Sequence, residues 1–188
     1  MKPVTSFLLF SATLSLTFSF HLSIANGGSS NLIQQVCAET HNKVNCVASL
    51  ESNPDSKKAN LQQLGIIALN LASSNATSTS SYIKTTLLSN KTLNPVTEQA
   101  LEDCSDQYMD AIQQLDDSLP ALLANATNDV RAWVRTAIAD VESCENGFKK
   151  NIPGEQMLLS LRNAVFRQLC NNVLVINKLL IRTNVGGN

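Results

Sequence analysis

Hydrophobic residues recur three and four positions apart along four long segments of this chain. That spacing places apolar side chains on one face of an α-helix. Alternating apolar and polar runs of strand length are missing, as is turn-rich punctuation typical of β-structure. Proline and glycine pairs mark the breaks, for example Asn53-Pro54, Asn94-Pro95 and Pro153-Gly154. The pattern predicts an all-α protein with helices at roughly 58–88, 96–122, 128–148 and 154–182.

Each segment carries one apolar stripe, and four such helices predict an antiparallel four-helix bundle. The first stripe is interrupted by a Ser/Thr-rich stretch at 73–81, where we expect the helix to bend or loosen. The stripes consist of Leu61, Leu64, Ile67, Ala68, Leu71, Tyr82, Ile83, Leu87 and Leu88; of Leu101, Cys104, Tyr108, Ala111, Leu115 and Leu119; of Val130, Val134, Ala137, Val141, Cys144 and Phe148; and of Leu158, Leu161, Val165, Leu169, Val173, Ile176 and Leu180.

The N-terminus has the pattern of a secretory signal peptide. Lys2 gives the positive region, residues 7–20 form the apolar region, and Ser23-Ile24-Ala25 places small residues at the cleavage site. The alternative is an N-terminal membrane anchor, for which the apolar run is short. We therefore expect a signal peptide at 1–25, a helical hairpin at 26–57, the bundle domain at 58–182 and a flexible tail at 183–188.

The five cysteines agree with an oxidising compartment. Cys37 and Cys46 enclose eight residues, which suits a short helical hairpin clamped at its neck. Cys104 and Cys144 lie far apart on two apolar stripes, and Cys170 is left over as a buried free thiol. Four cysteines allow three connectivities, so the pairing of Cys37 with Cys46 and of Cys104 with Cys144 is an inference from spacing.

The helices at 96–122 and 128–148 must turn around residues 123–127. Cys104 lies 20 residues before residue 124 and Cys144 lies 20 residues after it. Residues equidistant from the turn of an antiparallel hairpin lie level with each other, so the two cysteines can reach disulfide distance. The alternative is that both are buried free thiols.

Composition and charge argue against several functional classes. The net charge is −1, and the chain has no basic stripe for nucleic acid and no polybasic membrane patch. Without the signal peptide one histidine remains, His41, and the cysteine spacing matches no zinc site, so we expect no metal and no cofactor. A glycosidase carboxylate pair is conceivable among the aspartates of 103–117, but charges on a helix surface are commonly a solvated face. We expect a binding protein rather than an enzyme.

Three sequons agree with secretion: Asn75-Ala76-Thr77, Asn90-Lys91-Thr92 and Asn125-Ala126-Thr127. We expect Asn75, Asn90 and Asn125 near helix ends and loops, where a glycan is sterically tolerated.

Several ordered blocks, taken with their cysteines, resemble the plant invertase and pectin methylesterase inhibitor family over residues 32–182. No single block is diagnostic, but the ordered set is specific. The blocks are Cys37-Ala-Glu-Thr with Cys46, Ser52-Asn-Pro-Asp-Ser, Leu61-Gln-Gln-Leu-Gly-Ile-Ile with Asn75-Ala-Thr-Ser-Thr, Leu101-Glu-Asp-Cys-Ser-Asp-Gln-Tyr108, Asp129-Val-Arg-Ala-Trp-Val to Ser143-Cys-Glu-Asn-Gly-Phe148, and 169–180.

The resemblance implies a hairpin packed on a four-helix bundle, with disulfides Cys37–Cys46 and Cys104–Cys144. It also implies a secreted inhibitor that binds one partner enzyme, one to one, and blocks its active-site cleft. Cell-wall invertase inhibitors often carry Pro-Lys-Phe after the second bundle helix, and here that region reads Asn125-Ala-Thr-Asn-Asp129. We therefore favour pectin methylesterase as the target. Acid invertase is the alternative, and a secreted helical protein without inhibitory activity is a third possibility.

Two aspartates are the candidate partner-binding residues. In the family's esterase inhibitors, acidic residues soon after the third and the fourth cysteine face the enzyme. Asp106 and Asp110 match the first of these, one turn apart on the second bundle helix, whereas Gln113 and Asn146 stand where acids are often found. We expect stronger binding at the acidity of the apoplast, where adjacent carboxylates can share a proton. The expected location is the apoplast, with the vacuole as the alternative.

Overall fold

A computed structural model describes residues 27–149 and 156–186, which leaves the expected signal peptide and the Pro153-Gly154 break outside the described residues. The described part is helical and has no strand. The helices are α1 (Gly27–Ala38), α2 (Lys43–Glu51), α3 (Leu61–Tyr82), α4 (Pro95–Leu123), α5 (Thr127–Lys149) and α6 (Gln156–Gly186), with a short 3₁₀ helix at Pro54–Lys58 and one π-helical turn at Ile83–Leu87. None of the described helices is long and apolar enough to cross a membrane.

Helices α3 to α6 form the predicted four-helix bundle. Each helix packs against the next in sequence, and α6 closes the ring against α3, so α4 and α6 lie diagonally opposite. The core is built from the apolar stripes of all four helices. The all-α class and the bundle architecture predicted from the sequence are thus confirmed.

Asparagine side chains define where the bundle helices begin. The Asn60 Oδ1 accepts the Gln63 backbone N–H at 2.9 Å, and the Gln63 Oε1 accepts the Asn60 N–H at 2.9 Å. This capping box satisfies two donors that the first turn of α3 leaves unpaired. Asn94 caps α4 in a similar way, with Pro95 in the first turn. The first bundle helix therefore begins at Leu61, three residues later than the spacing predicted, because the 3₁₀ helix and its cap precede it.

The Ser/Thr-rich stretch of α3 is regular helix. Its hydroxyls donate to carbonyls one turn earlier, as Thr77 does to Ser73 at 2.9 Å and Thr79 to Asn75 at 2.9 Å, so the polar side chains are satisfied without opening the helix. The expectation that the helix bends or loosens at 73–81 was therefore wrong, and the first departure from regular α-helix is the π turn Ile83–Leu87 just after it.

The N-terminal hairpin packs against α6 rather than standing apart from the bundle. The disulfide between Cys37 and Cys46 joins the end of α1 to α2, with the Cα atoms 5.5 Å apart. The Asn172 amide of α6 donates to the Ser49 hydroxyl of α2 at 3.1 Å. Cys170 is a buried free thiol, and burial raises its pKa well above the usual range.

The first half of α6 faces the core with different residues from those predicted. Leu158, Leu161 and Val165 are 46%, 58% and 49% exposed, so their assignment to the apolar stripe was wrong. The buried positions follow a heptad rhythm instead: Leu159, Asn163, Phe166, Cys170, Val173, Asn177 and Leu180. Two of them are asparagines, which a search for apolar residues passes over.

Buried Asn163 is held by a polar contact across the core. The hydroxyl of Tyr108, itself fully buried, donates to the Asn163 Oδ1 at 2.6 Å. The Tyr108 ring also packs edge-on against Phe166, with 6.0 Å between the centroids. This pairing fixes the rotation of α6 against α4, because a buried amide must face its hydrogen-bond donor.

The predicted flexible tail at 183–188 is helical over most of its length. Helix α6 continues to Gly186, so the expectation of a tail from residue 183 was wrong. Helix α6 contains no proline or glycine before Gly186, so no helix-breaking residue ends it earlier.

Candidate functional site

The α4–α5 hairpin is locked at the level of its disulfide. Cys104 and Cys144 are bonded, with their Cα atoms 4.5 Å apart. Both are buried, and they lie level with each other as the spacing around the turn predicted. The outer surfaces of α4 and α5 are therefore held in a fixed relation, which is what a binding surface spread over two helices requires.

An acidic stripe runs along the exposed side of α4. Helix α4 contains seven acidic residues and no Lys, Arg or His. Asp103, Asp106, Asp110 and Asp117 follow each other at helical spacing and form this acidic stripe. Asp106 and Asp110 are exposed, and neither has a hydrogen bond or ion pair to another described residue. The two predicted partner-binding aspartates are therefore available to an incoming protein.

A groove between α4 and α5 follows the first half of the stripe. It has a volume of about 650 Å³, and both Asp103 and Asp106 line it. Ser143 and Gly147 contribute its α5 wall. Asp110 is not among the lining residues and lies one turn further along α4. The groove is thus negative at its rim and open to solvent.

Asp140 on α5 adds a carboxylate that the sequence analysis missed. Burial raises its pKa, and the nearby charge of Asp110 raises it further. Its Oδ2 is buried without a hydrogen-bond partner among the described residues. The sequence spacing could have indicated that these two carboxylates lie close together, because Asp110 and Asp140 are nearly equidistant from the α4–α5 turn. Asp140 therefore binds a proton more readily than an ordinary aspartate.

Catalytic chemistry has no support in the described part of the chain. No group of three or more His, Cys, Asp and Glu side chains is arranged to hold a metal ion there. His41 lies near the hairpin, against α5 and α6 rather than at the acidic stripe.

Comparison with known proteins supplies the family. Residues 31–176 match the family model described as plant invertase/pectin methylesterase inhibitor. The chain belongs to this inhibitor family. Because the family and its named relatives are inhibitors rather than enzymes, the protein is an inhibitor and not an enzyme.

Relatives in the inhibitor family are named for both kinds of target. A "Pectinesterase inhibitor" from Actinidia deliciosa is 32% identical over 80% of this chain and 80% of its own length. "Cell wall / vacuolar inhibitor of fructosidase 2" from Arabidopsis thaliana is 30% identical over 90% of this chain and 95% of its own length. Similarity therefore establishes an inhibitor of pectin methylesterase or invertase without choosing between them.

Solved structures of inhibitor family members share the fold. A mutant form of a pectin methylesterase inhibitor from Arabidopsis aligns with a TM-score of 0.66 at 22% identity, over 78% of this chain and 95% of the other. At this identity the match concerns architecture alone.

The three sequons of this inhibitor lie in different surroundings. Asn90 and Asn125 are exposed in the connections that flank α4. Asn75 lies inside α3 and is half-buried, and its Oδ1 has no partner among the described residues. Its expected place near a helix end was wrong, because the Ser/Thr stretch around it is continuous helix. Occupancy of all three sites stays a prediction.

Proposed function

We propose that this protein inhibits a plant pectin methylesterase by laying its acidic stripe into the enzyme's substrate groove. The observation that carries the proposal is the charge of α4, where acids occupy one exposed side and the helix itself contains no cation. A groove suited to an acidic polymer offers positive and hydrogen-bonding groups along its length. A rigid helix with carboxylates at regular intervals can satisfy those groups in place of the polymer.

The shape of the α4–α5 turn also favours the esterase over invertase. The turn contains three residues, Ala124, Asn125 and Ala126, and is closed by a hydrogen bond from the Ala126 N–H to the Ala121 carbonyl at 2.8 Å. Asn125 sits at a φ of 56°. A loop this short cannot extend into a deep pocket, and it lacks the Pro-Lys-Phe sequence. Acid invertase inhibition is the alternative, and it would require a different contact.

We further propose that the protein is secreted and binds its enzyme one to one. The signal peptide, the two disulfides and the three sequons support secretion to the cell wall, with the vacuole as the alternative. One acidic stripe per chain supports a one-to-one complex with the enzyme.

The complex should be tighter at acidic pH. Burial and the charge of Asp110 already raise the pKa of Asp140, and docking of the acidic stripe against the enzyme would bury the Asp140 carboxyl further. Because burial favours the protonated form, complex formation should take up a proton and weaken as the pH rises. Inhibition should be stronger at pH 5 than at pH 7.5, and equal inhibition across this range would contradict the proposal.

The test is a paired inhibition assay with the oxidised mature chain, one arm with a plant pectin methylesterase and one with a plant acid invertase. We expect loss of esterase activity alone. The double variant Asp106→Asn/Asp110→Asn should inhibit at least about tenfold less well. The matched control Glu51→Gln/Asp55→Asn makes the same charge change at exposed sites away from α4 and should inhibit normally.

Two further outcomes would overturn the proposal. Inhibition of invertase alone would show that the short α4–α5 turn does not prevent that activity. Full inhibition of the esterase by the Asp106/Asp110 variant would show that the complex uses another face.

A further inference from the structure

A second cleft lies away from the acidic stripe, where the hairpin meets α5 and α6. Its volume is about 340 Å³. His41 from the α1–α2 connection, Arg131 and Arg135 from the first half of α5, and Lys178 from α6 all line it. We call it the basic cleft. Four basic side chains from three separate elements converge here, although the chain as a whole carries a net charge of −1.

The carboxylate that lines the cleft is already engaged. The Glu39 Oε2 accepts from the Lys178 Nζ at 3.0 Å, and its Oε1 accepts from the Arg182 guanidinium at 2.6 Å. The hydrogen bond from Lys178, which has the largest effect, and the contacts with Arg182 lower the pKa of Glu39. Glu39 therefore stays ionised and bound to its two cations.

Arg131 and Arg135 are left without a carboxylate. They lie one helical turn apart, and neither forms an ion pair within the described ranges. Arg131 donates to the neutral Asn128 Oδ1 at 2.9 Å. Helix α6 opposite them contains four basic residues and no acid, so the protein supplies no further counter-charge from that side. The cleft therefore presents two guanidinium groups to an external anion.

Buried Asn177 shows what else the ligand should carry. It is 2% exposed, lines the cleft, and donates through its Nδ2 to the Thr127 carbonyl at 2.8 Å. Its Oδ1 is buried and has no donor among the described residues. An unsatisfied buried acceptor is costly, and a hydroxyl group entering the cleft would satisfy it. Leu174 and Val175 add an apolar wall beside it.

We propose that the basic cleft binds an acidic saccharide of the uronate class. Carboxylates of the sugar would accept from Arg131 and Arg135, a ring hydroxyl would donate to Asn177, and the apolar face of the ring would lie on Leu174 and Val175. This combination of anion, hydroxyl donor and apolar face distinguishes a uronate from an inorganic phosphate, which offers no apolar face.

The cleft and the acidic stripe can be occupied together. Arg135 and Ser143, which faces the groove beside the stripe, are separated along α5 by about 12 Å of helix rise, and the two surfaces face different neighbouring helices. Uronate binding thus does not depend on which enzyme is inhibited. It would attach the inhibitor to an acidic polysaccharide while the other face stays available.

The experiment is titration of the oxidised mature chain with a defined oligogalacturonate, followed by calorimetry and by backbone amide NMR. The fully methyl-esterified oligomer of the same length tests the need for charge, and polyglutamate and inorganic phosphate test the need for a sugar. We expect binding of the oligogalacturonate alone, weakened by salt, with shifted amides at 131–135 and 174–178.

The variant Arg131→Gln/Arg135→Gln should lose about tenfold or more in affinity. The control Lys57→Gln/Lys58→Gln removes the same charge from exposed sites outside the cleft and should bind normally. Absence of binding by the wild-type chain, equal binding of polyglutamate or phosphate, or equal losses in the two variants would each overturn the proposal. Enzyme inhibition should be unchanged in both variants, which separates this result from the test of the acidic stripe.

Discussion

Removal of the disulfide between α4 and α5 should destabilise the fold more than removal of the hairpin disulfide. The perturbation is a pair of double variants, Cys104→Ala/Cys144→Ala and Cys37→Ala/Cys46→Ala. Each deletes two buried sulfur atoms, so the losses of packing are similar. The difference between the variants then reports mainly on the length of chain that each bond closes.

The magnitude follows from the two sequence separations, 40 and 9 residues. In the chain-entropy model, closing these loops in the unfolded state contributes about 4 and about 2.6 kcal/mol. We therefore expect the Cys104/Cys144 variant to be less stable than the Cys37/Cys46 variant by about 1.3 kcal/mol in the free energy of unfolding.

The assay is equilibrium unfolding in urea, followed by the fluorescence of Trp133, the only tryptophan, and by far-ultraviolet circular dichroism. Work at pH 5 keeps Cys170 protonated when the chain unfolds, which suppresses attack on the remaining disulfide. Equal stability of the two variants, or a greater loss from the hairpin variant, would refute the entropic reasoning. It would indicate that the hairpin bond acts by holding native contacts with α6.

Four further variants test the packing and the electrostatics by urea unfolding. Gly65→Leu should destabilise by about 1–3 kcal/mol or more, because even a Cβ at this position meets side-chain atoms of Leu122 and Ile176 at 3.1 and 3.3 Å. Gly147→Ala should stabilise by about 0.5–1 kcal/mol, because a Cβ there meets nothing within 4 Å. The opposite order of stabilities would contradict the close approach of α3 to its neighbours. Tyr108→Phe should cost about 1–3 kcal/mol by leaving Asn163 without its donor, and a neutral result would exclude that bond. Burial, then the charge of Asp110, raises the pKa of Asp140, so at this group the folded state holds more protons than the unfolded state. The contribution of Asp140 to stability therefore falls as the pH rises above about 4. Asp140→Asn should stabilise at pH 7 but not at pH 3, and a pH-independent effect would refute the assignment.

Helix positions and the main disulfides could be predicted because they depend on local spacing. Apolar residues three and four apart identify a helix wherever it packs, and the symmetry of Cys104 and Cys144 about a turn follows from the antiparallel geometry. Exposure of Asp106 and Asp110 follows from the same periodicity, since they lie opposite the apolar stripe of α4.

The rotation of α6 could not be predicted in this way. Two of its heptad core positions are asparagines whose burial depends on partners distant in sequence, Tyr108 for Asn163 and the Thr127 carbonyl for Asn177. Three exposed apolar residues in its first half, Leu158, Leu161 and Val165, have the same three- and four-residue spacing as a core stripe. Asp140 was missed for a related reason, since its environment is created by α4 and not by its neighbours in the chain.

The charges on α4 and α6 have a consequence for how fast the inhibitor meets a partner. One helix carries only acids and the diagonally opposite helix only bases, so these two helices give a molecule with a net charge of −1 a transverse dipole, which Glu39 and Glu145 reduce by pairing with cations of α6. In the field of a charged enzyme such a dipole experiences a torque and turns before contact. Productive encounters then become more frequent than net charge alone would suggest, and their rate becomes sensitive to ionic strength.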